Sequence, residues 1–267
     1  MDNNLWQQLS DMKWKYDRLE QENQRLKELL RKNQIPFEQN LQEQSFKSQE
    51  VTRRIDIFNN LFKGRTDVYA RRRENPNNPN GKASYYPVRD GVNSTNDYEQ
   101  SESNQVKKAY KPLTNQTIYN HLSGEQVVGI YPLLHGNTCW FLALDFDKEN
   151  WKKESKAIIS ICHHYHIPAA MERSRSGDGC HIWIFFSEKV PAAGARNLGN
   201  FLMKETLKRN HWMQLKSFDR MFPAQDRLKG KGFGNLIALP LQKKARAEGN
   251  SVFIDQNMML FLINGVS

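Results

Sequence analysis

The stretch that most constrains the fold is residues 141–147, which read Phe-Leu-Ala-Leu-Asp-Phe-Asp. Successive side chains of a strand point to opposite faces, so this alternation predicts a strand with one apolar face. The apolar face would carry Leu142, Leu144 and Phe146. The other face ends in Asp145 and Asp147, about 7 Å apart. Two carboxylates this close repel each other, and a divalent cation relieves the repulsion. The alternative is that the acids cap a helix over residues 148–160.

A second pattern lies at the N-terminus, where apolar residues are spaced alternately by four and three. They are Leu5, Leu9, Met12, Tyr16, Leu19, Leu26 and Leu30, with Asn23 in the same series. With Leu9 at an a position, Asn23 is also at a, where a single buried amide favours a parallel dimer in register. We therefore expect a coiled-coil helix over residues 1–35 that makes a homodimer through residues 5–30. The alternative is one amphipathic helix docked on its own domain.

The chain between this helix and residue 106 gives weaker signals. Residues 36–48 are polar and rich in glutamine, which predicts a linker before an amphipathic helix that ends at Gly64. Residues 65–73 predict an edge strand that ends in three arginines, either a phosphate-contacting patch or a solvated strand end. Residues 74–106 are crowded with Asn, Pro, Gly and Ser and predict a long surface loop.

From residue 111 onward, predicted helices and strands alternate. Thr114 caps a helix that stops at Gly124. We expect a strand over residues 127–133 to form a hairpin with the strand over residues 139–147. The remaining predicted elements are helices at 152–164 and 192–208 and strands at 168–172, 181–186 and 235–241. Strands that alternate with helices and are joined by hairpins predict an α+β domain with helices on one face of the sheet.

Further candidate site residues lie beyond the paired acids. Residues 173–179 hold two arginines, two serines and two glycines just before the strand that begins with His181. Guanidinium groups and close backbone amides bind phosphates, although an ordinary hairpin has the same composition. Neither a Walker motif nor GxGxxG is present. Asp219 can complete a two-metal site with the paired acids, unless it caps a helix or pairs with Arg220.

The order of these motifs resembles the catalytic domains of the archaeo-eukaryotic primase superfamily, and more closely the primase domain of TOTE conflict systems and CRISPR-associated primase-polymerases. The resemblance covers residues 50–256. It rests on Asp145-x-Asp147, on Ser-Gly-x-Gly-x-His ending at His181, and on Phe218-Asp219. It implies an RRM-like palm within a two-layer primase core over residues 49–267, preceded by the helical coiled coil.

The resemblance also implies an activity and the residues that carry it. The chain would join nucleoside triphosphates on a single-stranded DNA template and release pyrophosphate, using Mg²⁺ or Mn²⁺. The metal ligands would be Asp145, Asp147 and Asp219, and the nucleotide would be bound by Arg173, Arg175, Ser176, Gly179 and His181. Many relatives have serine where this chain has Gly179. A metal-dependent nuclease and a catalytically silent DNA-binding protein are the alternatives.

Composition fits a partner of opposite charge, since the net charge is +10. The cations expected to contact the nucleic acid are Lys216, Arg220, Lys229 and Lys231, part of which a solvated helix face would also explain. Three scattered cysteines are too few for a disulfide framework or a CxxC zinc site, which fits a reducing cytoplasm.

Targeting and partners follow from what the sequence lacks and from the resemblance. No apolar run approaches the roughly 20 residues that a membrane-spanning helix needs, and the N-terminus has no signal-type apolar region. We therefore expect no membrane partner. Conflict-system relatives continue into helicase or nuclease domains, so a helicase or a nuclease is a candidate partner. The chain would then be either a stand-alone version or a fragment.

Overall fold

The computed structural model divides the chain into two compact units, Met1–Asp56 and Ile57–Ser267. The residues that it describes are 3–33, 39–73, 84–90, 109–230 and 232–260. Within them, no helix is both long enough and apolar enough to span a bilayer. The mixture of helices and antiparallel strands confirms the α+β class. The domain boundaries expected from the sequence stay predictions.

The first unit contains helix α1 (Asn3–Lys32) and most of helix α2 (Gln39–Leu61). The heptad stretch is thus one uninterrupted helix, as expected. Helix α2 begins earlier than the sequence suggested, because residues 39–48 are helical rather than part of a linker. This segment has no Gly or Pro and is rich in Gln, which is a good helix former.

The second unit is built on two antiparallel sheets joined to four helices of the described residues. In chain order the strands are β1 (Ala70–Arg73), β2 (Ser84–Pro87), β3 (Val128–Ile130), β4 (Thr138–Asp147), β5 (Ala170–Arg173), β6 (Gly179–Pro191), β7 (Phe218–Phe222), β8 (Ile237–Ala238) and β9 (Val252–Ile254). The helices are α3 (Asn115–Leu122), α4 (Trp151–His164), α5 (Ala192–Arg209) and α6 (Lys243–Ala247). The strand orders are β2-β1-β3-β8 and β7-β4-β6-β5-β9.

Strand β4 organises the five-stranded sheet. Its side chains Leu142, Leu144 and Phe146 are fully buried in one cluster with residues of α4 and α5 such as Ile158 and Leu202. Burying a side chain of this size contributes about 1.5–3 kcal/mol. The apolar face predicted from the alternation is therefore the face that the helices cover.

The predicted hairpin between the strands at 127–133 and 139–147 is wrong. Strand β3 pairs with β1 and β8 in the smaller sheet, whereas β4 pairs with β6 and β7. The turn between them does close, since the N–H of Leu134 donates to the carbonyl of Thr138 at 2.8 Å. Pro132, which has no N–H, interrupts the ladder between β3 and this turn.

Strand β1 is not an edge strand, because it pairs with β2 on one side and β3 on the other. Strand β2 comes from within the predicted loop at 74–106, and its Tyr85 and Tyr86 are residues that favour strands. Arg71 Nε donates to the hydroxyl of Tyr86 at 2.7 Å across this pair. Residues 74–83 and 91–106 of that loop lie outside the described residues.

A buried histidine links α3 to the first residue of β3 and to the segment that follows β8. Thr114 caps α3 as predicted, accepting from the N–H of Thr117. His121 is fully buried; its Nδ1 accepts from the N–H of Val128 at 3.1 Å, and its Nε2 contacts the carbonyl of Pro240 at 2.8 Å. A neutral ring with the proton on Nε2 satisfies both groups. Burial lowers the pKa of His121 to about 4.

We expect His121 to make the fold less stable in mild acid. An unfolded histidine has a pKa near 6.5, so the unfolded chain binds the proton first and the stability that His121 provides above that pH is lost as the pH falls towards 4. The loss between pH 7 and pH 5 is about 2 kcal/mol. Urea unfolding of the wild type and of His121→Asn, which keeps an acceptor for Val128, measures it. Equal losses in both proteins would contradict this assignment.

Candidate metal centre

Three carboxylates meet on the face of the five-stranded sheet opposite the one that α4 and α5 cover. Asp145 and Asp147 alternate along β4 with the buried apolar residues, and Asp219 lies on the neighbouring edge strand β7. One ligand oxygen from each residue lies within 4.8 Å of the other two. The structure therefore brings together the three acids that the motifs singled out.

Asp219 reaches this face through a β-bulge. Strand β7 pairs Arg220 with Asp145, but its next pair is Phe218 with Phe146, so Asp219 is an extra residue on β7. In a regular ladder it would lie opposite Phe146 and point to the helix-covered face. A bulge re-aims the side chain of the extra residue, and here that places the third carboxylate beside the other two.

A buried carboxylate of α4 holds the start of β7 in place. Glu154 accepts hydrogen bonds from the N–H groups of Lys216 at 3.1 Å and Ser217 at 2.9 Å, and from the Ser217 hydroxyl. The carbonyl of Ser217 in turn accepts from the N–H of Asp147 at 2.7 Å. Glu154 thus positions both strands that carry the acids. In the sequence it is only an acid in a first helical turn, where the helix dipole already explains it.

His181 lies between the acids and a second buried carboxylate. Its Nε2 is 3.5 Å from Asp145 Oδ1, and its Nδ1 is 2.9 Å from Glu172 Oε2. Register places Asp145, His181 and Glu172 in one row across β4, β6 and β5, so they share a face. Glu172 is 2% exposed and also accepts from Trp183 Nε1 at 2.8 Å. Sequence reasoning missed Glu172, whose partners are known only once the strands are paired.

Burial and neighbouring charges set the protonation of this row. Burial opposes the charge on His181, but Glu172 and then Asp145 outweigh it and raise the pKa of His181 to about 9. Burial raises the pKa of Asp145 to about 6; Asp147 and Asp219 add to the rise, while His181 opposes it. A cation among the three acids would remove the repulsion that contributes to this shift.

The two arginines of the predicted phosphate-binding loop, residues 173–179, contact different parts of the structure. Arg173 pairs with Cys180 on the helix-covered face, and its guanidinium donates to the carbonyls of Gly249 at 3.1 Å and Met258 at 3.2 Å. That placement does not favour a role for Arg173 at the triphosphate. Arg175 donates to Gln242 Oε1 at 3.2 Å and acts electrostatically on Tyr85 together with Glu172.

The small residues of this loop have separate roles. Ser176 Oγ is 3.1 Å from Ser174 Oγ. Gly179 pairs with Asp147, and a Cβ at residue 179 would overlap the Asp147 carboxylate and the carbonyl of Phe146. Glycine is therefore needed for the close approach of β6 to the acids. A serine at this position would require both the Asp147 carboxylate and the main chain at Phe146 to move.

Of the four cations predicted to contact nucleic acid, Arg220 lies closest to the acids, with its Nε 2.6 Å from Asp219 Oδ2. Lys216 is exposed at the approach to β7, and Lys229 is exposed in the segment beyond it. Lys231 lies outside the described residues. The structure therefore brings one of these cations into the site and leaves two on the neighbouring surface.

Comparison with known proteins gives two findings. The model of the family described as "TOTE conflict system, Archaeo-Eukaryotic Primase domain" matches residues 53–262. Among solved structures, the chain is similar to the polymerase domain of ligase D from Mycobacterium tuberculosis in complex with DNA, with 13% identity and a TM-score of 0.37. That similarity covers 58% of this chain and 62% of the other, less than two thirds of the latter. No curated protein matches the sequence.

We expect Mn²⁺ to stabilise the protein by binding the three acids. At a free concentration 100 times its Kd, a bound ion adds about 2.7 kcal/mol to the free energy of unfolding. Asp147→Asn removes the charge of one ligand and keeps the shape of its side chain, so the variant should lose most of the stabilisation by the ion. Thermal unfolding with and without Mn²⁺ measures it. Asp56→Asn, at an exposed helix position, is the matched control, and equal stabilisation of Asp147→Asn and wild type would contradict binding at the triad.

Proposed function

Because this chain belongs to the TOTE conflict system family of archaeo-eukaryotic primase domains, we propose that it is a DNA primase-polymerase, which joins nucleoside triphosphates on a single-stranded DNA template and releases pyrophosphate. Membership of the family indicates a nucleotidyltransferase; the template and the product are the parts proposed here. The observation that carries the proposal is the convergence of Asp145, Asp147 and Asp219.

The donor set fits Mg²⁺ or Mn²⁺. All the candidate ligands are carboxylate oxygens, which hard divalent cations prefer. Two oxygens that share such an ion lie up to about 4.2 Å apart, and the ligand oxygens of the triad, within 4.8 Å of one another, are close to that spacing. When bound, the metal would stabilise the negative charge on the transferring phosphoryl group.

His181 is proposed to hold the triphosphate of the incoming nucleotide. Glu172 fixes Nδ1, which orients the ring, and keeps the imidazole charged near neutral pH. The 3.5 Å between Nε2 and Asp145 is longer than an ordinary hydrogen bond, so this N–H can donate to a phosphate oxygen instead. Arg175 and Ser176 are proposed to contact the same triphosphate, because both lie in the short loop that leads into β6, the strand that carries His181.

The template is proposed to cross the exposed edge strand β7. Arg220 and Lys216 are exposed there, and Lys229 lies on the surface beyond it. Each such cation that contacts a phosphate adds a salt-dependent contribution to affinity. Arg220 has a second effect, because its guanidinium pairs with Asp219 and offsets part of the triad's charge.

We expect the wild type to incorporate labelled nucleotides when it is given single-stranded DNA and Mn²⁺ or Mg²⁺. The double variant Asp145→Asn, Asp147→Asn should lose about a thousandfold in rate, because it loses several kcal/mol of charge stabilisation. The product lengths are read on a denaturing gel. Asp56→Asn, Glu125→Gln, which removes two charges at exposed positions, should incorporate as the wild type does.

The same assay separates the remaining functions. A wild type that incorporates nothing, while it binds DNA as tightly as the double variant, would overturn the polymerase proposal and leave a DNA-binding protein. DNA that is shortened in the absence of nucleotides, and only by protein with intact acids, would instead indicate a metal-dependent nuclease.

We also propose that α1 forms a parallel coiled-coil homodimer. Two leucines at d positions of its heptads are exposed within the chain, Leu19 at 70% and Leu26 at 51%. Leucines on one seam of a 30-residue helix, with Asn23 at an a position between them, are the pattern that a second copy covers.

We expect light scattering to give twice the chain mass for the wild type. Leu19→Glu, Leu26→Glu in the full-length chain places like charges in the seam of both helices and should give the monomer mass. The control Gln21→Glu, Gln24→Glu adds the same charge at heptad positions outside the seam and should leave the dimer intact. A wild type of monomer mass would rule the dimer out.

A further inference from the structure

A basic groove of about 470 Å³ lies on the helix-covered side of the second unit, between α4 and the segment that follows α5. Its walls combine basic side chains with one indole: two lysines and an arginine, Lys153, Lys156 and Arg209, the imidazole of His164, and Trp212. None of the described residues that line it is acidic. This groove is separate from the carboxylate site, because α4 and α5 cover the opposite face of the sheet.

Trp212 is the most unusual residue of the groove. Its side chain is 58% exposed, and Lys153 Nζ lies 3.7 Å from the centre of the ring. Exposed aromatic surface continues beside the groove, where Tyr165 and Phe201 contact each other with ring centres 5.0 Å apart. Large exposed aromatic side chains grouped in this way mark a binding surface more often than isolated ones do.

The cations of the groove are not neutralised locally. In the part of the chain that the structure describes, no carboxylate lies within salt-bridge distance of Lys153, Lys156 or Arg209. The nearby acid Glu205 pairs with Lys208 at 2.7 Å and accepts from the hydroxyl of Tyr165 at 3.1 Å, and its charge acts on Arg209 only from beyond salt-bridge distance. The groove therefore presents a concentrated positive charge to solvent.

We infer that this groove binds single-stranded nucleic acid, with a base stacked on Trp212 and the backbone phosphates against Lys153, Lys156 and Arg209. Proteins hold single strands by this combination, because every base has a π face and every nucleotide has a charge. An acidic peptide would match the cations but would leave the exposed indole unused. The inference extends the proposed function, since it gives the template a second contact away from the acids.

The chain path supports one continuous strand over both sites. Trp212 and Asp219 are seven residues apart, so they are at most about 25 Å from each other. The connecting segment passes Lys216 and enters the edge strand β7, which has no further strand beside it among the described residues. A template that crosses this edge would leave the acids and enter the groove within a few nucleotides.

The test measures binding of labelled oligothymidylates of about 6 and about 30 nucleotides to the full-length protein by fluorescence anisotropy, without metal or nucleotide. Lys153→Gln, Trp212→Ala should weaken binding of the longer strand about tenfold to a hundredfold. The slope of its salt dependence should fall by about 0.7, because Lys153→Gln removes a charge that neutralises a phosphate. Trp212→Phe should keep most of the affinity, since a phenyl ring also stacks.

The matched control is Lys189→Gln, Tyr119→Ala, which removes one exposed lysine and one exposed aromatic ring elsewhere. Its affinity should equal that of the wild type. Equal affinities of the groove variant and this control would overturn the inference. The inference would also be overturned if the groove variant no longer bound poly-glutamate while its DNA affinity was unchanged. The groove would then be a binding site for an acidic protein.

Failure of the proposed function gives a different result. If the wild type incorporates no nucleotide but the groove variant still loses its DNA affinity relative to the control, the groove is supported and the polymerase activity is not.

Discussion

The structure depends on holding three carboxylates within 4.8 Å of one another against their mutual repulsion. The sheet supplies the restraint. On β4 the residues between the acids are buried against α4 and α5, so turning either acid away would expose apolar side chains. Glu154 adds a second restraint through the main chain before β7. The repulsion among the three acids is thus opposed by hydrophobic burial and by the hydrogen bonds of Glu154, neither of which involves the carboxylates themselves.

How far the site could be predicted from the sequence depends on whether a signal lies within one strand or arises only when strands pair. The pairing of Asp145 and Asp147 on one face follows from alternation within a single strand, and the structure confirms that face. Glu172 gave no such signal, because its importance comes from strands brought together across the sheet. The bulge that re-aims Asp219 depends on the register between β7 and β4. That register becomes visible only when both strands are placed.

The errors in topology have equally specific causes. A turn at 135–137 between two apolar runs predicts a hairpin, but Pro132 separates β3 from that turn and each strand pairs elsewhere. The polar composition at 74–106 predicted a loop, yet Tyr85 and Tyr86 form a strand that covers β1. In both regions, one or two residues with strong backbone preferences outweighed the composition around them.

The charges around the site explain why a divalent cation suits it. Four carboxylates, those of the triad and of Glu172, face two cationic side chains, His181 and Arg220. The two cations do not surround the triad. Nδ1 of His181 is bound to Glu172, and Arg220 pairs with Asp219 at the exposed edge of the sheet. These carboxylates outnumber the two cations, and a divalent ion would balance excess negative charge. The same arrangement leaves His181 Nε2 facing the acids, 3.5 Å from Asp145 Oδ1.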